Sequence, residues 1–281
     1  FDTVSGALTP LANSARQLGN RPSDLEFSPD GTHLIVASWN SGSTKLAGGS
    51  DAELVVYGVQ VDGTLTTSPK ATAASTLRGN AGGRNLPASI GFETVAIGTR
   101  TFVIASEARE FLASGDPAML PQFQTASVST WELNANGSLT PRSQDVLSGP
   151  ALGVGTASPT SACWIVVSPD RSFFWVAHAS GGVISSFRLN PDATASLINS
   201  RAFVGAPAVI GAASPLATAD GLVDLAISSD GRYLYQLVDL KGSIDVFGVG
   251  PSASLTLLQK TAGLLPMSNS AGLLSVDRNT I

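Results

Sequence analysis

The apolar residues of this chain fall in short runs, among them HLIVA (33–37), WIVV (164–167), FFWVA (173–177) and YLYQLV (233–238). The runs are continuous or alternate with period two, and none repeats at the three-to-four spacing of an amphipathic helix. Glycine, serine, aspartate and proline separate them, so the pattern predicts short strands joined by tight turns. Three segments repeat one order: FSPDGTHLIVAS, VSPDRSFFWVAH and ISSDGRYLYQLV align on Asp30, Asp170 and Asp230. Asp-Gly at 30–31 and 230–231 supplies the positive φ that a hairpin turn needs. Pro29 and Pro169 preset φ at the turn entry and cannot donate to a ladder, which ends the strand there.

A third strand follows in each copy, ELVVYGVQ (53–60), VISSFRLN (183–190) and SIDVFGVG (243–250). A fourth comes after another turn, TLTTSPKA (64–71), ASLINSRA (195–202) and ASLTLLQK (253–260). A degraded copy lies between the first and second, in SIGFETVAIGTRTFVIASEA (89–108) and ASVSTWELNANGSLTP (126–141), without the Ser-x-Asp turn. Four short antiparallel strands per unit, repeated along the chain, predict the blades of an all-β propeller. The predicted blades span 23–76, 86–146, 160–205 and 221–262. The first strand of each is read as almost wholly apolar, packed between neighbouring blades. Inserts at 40–52 and 109–125 lengthen two connections.

The motif SPDG-x-x-LIVA, the third strand ending in Phe or Tyr, and the following Asp-Gly-Thr-Leu-Thr resemble the lactonase-type seven-bladed propellers, a superfamily that includes 6-phosphogluconolactonases and carboxymuconate-lactonizing enzymes. SACWIVVSPD (161–170) and GLVDLAISSDGRYLY (221–235) are similar to the later blades of its secreted members. The resemblance implies an extracytoplasmic location and a ligand site at one mouth of the central channel. Against a complete member, 1–22 reads as the outer strands of a partial blade and 269–277 as a lone closing inner strand. The chain is then expected to be the C-terminal portion of a longer ring, with a second chain supplying the missing blades. The alternative is a smaller, five-bladed ring.

Composition narrows the partners. Charged residues make up 13% of the chain, the formal net charge is −5, and the sixteen Lys and Arg are scattered. Nucleic-acid binding needs a clustered positive face and is not expected. No apolar run reaches the length of a membrane span. Cys163 is the only cysteine, which excludes an intrachain disulfide, and its strand-like surroundings predict a buried, inert thiol.

Aligning the repeats places Ser38, Ser106, His178 and Val238 at one level, at the end of the second strand. One residue further are Trp39, Glu107, Ala179 and Asp239. This level is expected to ring one face of the propeller. His178, Glu107 and Arg109 are the candidate catalytic residues; Trp39, Asp239 and Arg84 are candidates for substrate binding. Lactone hydrolysis needs a group that activates water and a donor for the oxyanion. His178 fits the first role, and Arg109 or Arg84 the second. His33 is expected to face solvent, and Asp30, Asp170 and Asp230 to be turn residues. No cofactor is expected, and two histidines with one cysteine make a transition-metal site improbable. A hard cation in the channel, held by carbonyls and a carboxylate, stays open. Two functions follow from this reading. One is an enzyme acting on a small lactone or its hydroxy acid. The other is a secreted, non-catalytic propeller that binds a protein or polysaccharide through its inserted loops.

Overall fold

Among the described residues, sixteen strands form four sheets of four antiparallel strands each in a computed structural model of the chain. The structure describes residues 5–12, 14–18, 21–39, 54–74, 87–111, 122–149, 160–207, 220–263, 265–266 and 272–276. The first sheet comprises β1 (Arg21–Phe27), β2 (His33–Trp39), β3 (Leu54–Gly58) and β4 (Ala71–Ala73). The second holds β5 (Pro87–Ile97), β6 (Arg100–Phe111), β7 (Gln122–Leu133) and β8 (Leu139–Leu147). The third holds β9 (Ala162–Val167), β10 (Phe173–His178), β11 (Val183–Leu189) and β12 (Ala195–Val204). The fourth holds β13 (Leu222–Ile227), β14 (Tyr233–Val238), β15 (Ser243–Val249) and β16 (Leu255–Thr261). Each strand pairs with its sequence neighbours, so every sheet is a four-stranded meander, the blade of a propeller. Asp239–Lys241 and Pro251–Ala253 form single 3-10 turns.

The repeated turn explains the hairpins. In blades one, three and four a serine hydroxyl (Ser28, Ser168, Ser228) donates to the aspartate two residues on, 2.6 Å away in each case. The same serine oxygen accepts the backbone N–H of the first residue of the next strand, His33, Phe173 or Tyr233. The aspartates are therefore turn residues, as their spacing predicts, and these bonds hold their carboxyls below the ordinary range. Blade two replaces this turn with a tight hairpin in which Ile97 pairs Arg100 and Gly98 takes φ +62°.

Blades pack face to face through three apolar interfaces. Ile35, Ala37, Leu54 and Val56 of blade one meet Val103, Ala105, Trp131 and Leu133 of blade two. The opposite face of blade two, with Phe102, Ile104 and Val128, packs on Phe174, Val176 and Phe187 of blade three. Trp175, Ala177 and Ile184 then meet Leu234 and Phe247 of blade four. Among the described residues no core cluster joins blade four back to blade one. The outer faces carry exposed apolar side chains, Leu25 (62%) and Phe27 (53%) on β1 and Leu257 (40%) and Leu258 (56%) on β16.

Several expectations change. The described part of 1–22 contains no strand before β1; it lies along blade one, with Leu18 against Val55 and Tyr57 and Arg16 Nε donating to the Thr66 carbonyl at 2.8 Å. Residues 272–276 carry no strand ladder, and 269–271 and 277 lie outside the described residues. His33 is 6% exposed, not solvent-facing, because the neighbouring blade covers it. Cys163 is buried, and desolvation pushes its thiol up to about 12, which keeps it protonated.

Candidate functional site

Alternation within the strands decides where each candidate points. β6 has its even residues on blade three and its odd residues on blade one, so Glu107 faces blade one with Val103 and Ala105. There it is fully buried and accepts a hydrogen bond from the Ser127 hydroxyl on β7. His178 ends β10 on the face of Phe174 and Val176, toward blade two. It too is fully buried, with Nε2 2.5 Å from the Ser185 hydroxyl and Nδ1 without a partner. Burial pushes its pKa down to about 3, so the imidazole is neutral over the physiological range. The two residues share one end of the blades, but they sit in different inter-blade interfaces on opposite faces of blade two.

The remaining candidates are less closely gathered. Asp239 opens the 3-10 turn after β14, where its N–H bonds the Gly221 carbonyl at 2.9 Å. Trp39 and Arg109 end or nearly end their strands, paired with Arg21 and Pro87, and their side chains lie outside the described residues. Arg84 lies outside them altogether, as do most of both inserts.

The inner strands hold a constellation absent from the sequence reading. Asp24 and Glu26 alternate with Leu25 and Phe27 on β1 and reach toward β5. Asp24 Oδ2 accepts the Phe92 N–H at 3.2 Å, and Glu26 Oε2 accepts the Thr94 N–H at 2.7 Å. Asp224 on β13 occupies the same position in its repeat as Asp24 and accepts the Leu273 N–H at 2.6 Å. Glu93 on β5 lies within electrostatic range of all three. The inner rim is thus lined by four carboxyls from three strands, not by apolar residues alone. Trp164 on β9 takes the same repeat position as Asp24 and Asp224.

Burial and mutual repulsion govern how these groups ionise. Desolvation, then Glu26, Asp24 and Asp224, hold Glu93 well above the ordinary carboxyl range. Desolvation outweighs the Thr94 hydrogen bonds and raises Glu26 to about 7, with Asp24 adding to the rise. Asp24 and Asp224 are also raised, chiefly by burial and against their backbone hydrogen bonds. The rim thus combines one carboxyl held well above the ordinary range with a second raised to about 7, a graded pair of the kind that lets one carboxyl give a proton and another take one. Among the described residues no group of three His, Cys, Asp or Glu is spaced to hold a metal ion. The signal for this site is the Asp of DLEF and DLAI, six residues before the turn aspartates Asp30 and Asp230.

No protein-family model and no curated protein matches the chain. Solved structures do. A candidate 6-phosphogluconolactonase from Bacteroides uniformis superposes with a TM-score of 0.57 at 17% identity, over 87% of this chain and 58% of the other. A periplasmic gluconolactonase from Pseudomonas aeruginosa gives 0.55 at 18% identity, over 87% and 58%. The likeness is one of fold, a β-propeller shared with these proteins. A hypothetical selenium-binding protein from Sulfolobus tokodaii gives 0.51 at 14% identity, over 84% and 53%. The chain therefore spans less than two thirds of the length of these lactonase-type relatives and of the Sulfolobus protein.

Proposed function

We propose that the protein hydrolyses a small lactone, or closes the corresponding hydroxy acid, at the inner rim of its blades. The observation that carries this reading is the gathering of Asp24, Glu26, Glu93 and Asp224 on neighbouring inner strands, with Glu26 raised to about 7 and Glu93 held well above the ordinary carboxyl range. The likeness of fold to a gluconolactonase supports the substrate class.

In the hydrolytic direction the Glu26 carboxylate takes a proton from water as the water oxygen bonds the acyl carbon. The ring C–O bond breaks, and the Glu93 carboxyl delivers its proton to the departing oxygen. The product is a hydroxy acid whose carboxyl releases its proton to solvent, and the two glutamates return to their starting states by proton exchange with solvent. Burial, with Glu26, Asp24 and Asp224 adding to it, keeps Glu93 well above the ordinary carboxyl range. Trp164 offers an apolar wall on the same rim. His178 and Glu107, enclosed between blades, fix the strand ends on either side of blade two.

A pH-stat assay over a lactone panel, including glucono-δ-lactone and muconolactone, tests the reading. Glu93→Gln and Glu26→Gln are expected to lower kcat by at least a hundredfold with circular dichroism unchanged, while His178→Gln keeps kcat within a few fold. No turnover on any lactone, or full turnover in both glutamate variants, overturns it.

A further inference from the structure

The end of the blades opposite His178 holds a cleft of about 440 Å³ between blades two and three, within the range of small-molecule sites. Gly98 lines it from blade two; Asp170, Arg171, Arg188 and Asn190 line it from blade three. β10 runs from this end to His178, a separation of about 17 Å at the usual rise per residue.

The internal repeat shows what is peculiar to this place. Arg171 sits in the Ser-x-Asp turn at φ +59°, where blades one and four have Gly31 (φ +70°) and Gly231 (φ +71°). This is a conformation that side chains other than glycine disfavour. Arg188 pairs Phe173 in the ladder, and the matching pairs in the sister blades are His33 with Gly58 and Tyr233 with Gly248. Two glycine slots of the repeat are therefore filled by arginine in one blade only, and both arginines line the same cleft. Strained backbone of this kind concentrates at functional positions.

Neither guanidinium is neutralised. Arg171 Nη1 donates to the Pro169 carbonyl at 2.5 Å, and Arg188 stacks over the Phe173 ring at 5.3 Å. Among the described residues neither meets a carboxylate, whereas nearby Arg100 and Arg142 are both tied to Glu132. Asp170 uses Oδ1 for its own turn, with Ser168 and Ser172, and is held ionised. Its Oδ2 and Oδ1 of Asn190 remain as acceptors for hydroxyl groups. Two guanidiniums and one carboxylate leave a single net positive charge. That balance favours a monoanion over a phosphate dianion, and a planar carboxylate fits a guanidinium fork.

We propose that this cleft is a binding site for a small polyhydroxylated carboxylate of the sugar-acid class, separate from the inner rim. Arg171 and Arg188 hold the carboxylate, and Asp170 and Asn190 accept from ligand hydroxyls.

Titration calorimetry with D-galacturonate and D-galactose, which differ in the carboxylate, tests this. Saturable binding of galacturonate is expected, at least tenfold tighter than galactose and weakened by salt. Arg171→Gly and Arg188→Gly restore the sister-blade residues, so both are expected to fold, and each is expected to weaken galacturonate at least tenfold. Arg188→Gln serves as a second variant that keeps a side chain in the ladder. Glu93→Gln, on the inner rim, is expected to leave binding unchanged. Absence of saturable galacturonate binding, equal affinity for galactose, or wild-type affinity in the arginine variants overturns the proposal.

Discussion

Asp224 accepts the backbone N–H of Leu273 at 2.6 Å, as Asp24 accepts that of Phe92 at 3.2 Å. The two aspartates hold the same place in their repeats, so residues 272–276 stand to blade four as β5 stands to blade one. A carboxyl on one inner strand bonding the backbone of the next is thus a recurring joint between adjacent blades.

Asp224→Ala removes the acceptor and leaves the Leu273 N–H unpaired, a local cost of about 1–3 kcal/mol. Hydrogen exchange is expected to show faster exchange at Leu273 with Phe92 unchanged. Asp24→Ala is expected to give the reverse.

The pH dependence of stability carries two opposed contributions. Glu26 rises from 4.5 unfolded to about 7 folded, so between these values the folded state holds more protons and stability falls as pH rises. Glu93, Asp24 and Asp224 act in the same direction. His178 falls from 6.5 to about 3, so its contribution is present above pH 6.5 and is lost as pH falls toward 3. Thermal melts from pH 4.5 to 8 are expected to show Glu26→Gln losing part of the decline toward pH 7. In the same melts His178→Gln is expected to lose part of the decline below pH 6.5. Parallel pH profiles for wild type and both variants would contradict these assignments.

Phe174 and Phe187 stack at 4.8 Å with their planes 1° apart, at the centre of the interface between blades two and three. Phe187→Ala is expected to cost about 3–5 kcal/mol by urea titration. If that interface is a cooperative joint, the fluorescence of Trp131 in blade two and Trp175 in blade three is expected to change in one transition.

Gly182 and Gly242 follow the second strands of blades three and four in left-handed conformation, φ +64° and +56°. A methyl group on either would collide with a carbonyl oxygen, that of Ala206 or Leu265. Gly31 has similar φ but open space around it. Gly182→Ala and Gly242→Ala are expected to lower the Tm clearly more than Gly31→Ala, which carries only the backbone strain of about 1–2 kcal/mol.

The blade pattern was legible because turns and alternation are local. Ser28, Ser168 and Ser228 with their aspartates make the same bonds wherever they occur, and they mark the hairpins without reference to the rest of the chain. Which way a side chain faces is not local. Val103 pairs Trp131 as Phe174 pairs Phe187, so Glu107, not Ser106, occupies in blade two the place that His178 holds in blade three, and each faces the preceding blade; the degraded turn of blade two hides this by one residue. The two residues consequently lie at one end of the blades but in separate interfaces. His33 shares the face of Ile35 and Ala37, which packs toward blade two, and a single repeat gives no sign of its neighbour. Asp24 and Asp224 were hidden for a related reason. Their strands look apolar when read through Leu25 and Phe27 or Leu225 and Ile227, and the acids show their purpose only once the next inner strand lies beside them.

In blades one, three and four the Ser-x-Asp turn closes the first hairpin using partners no more than five residues apart. Such a hairpin takes shape without waiting for distant chain, so folding has three equivalent starting places. Contacts of short sequence separation also form quickly. Damage to one turn then slows its own blade and leaves two others to seed the fold.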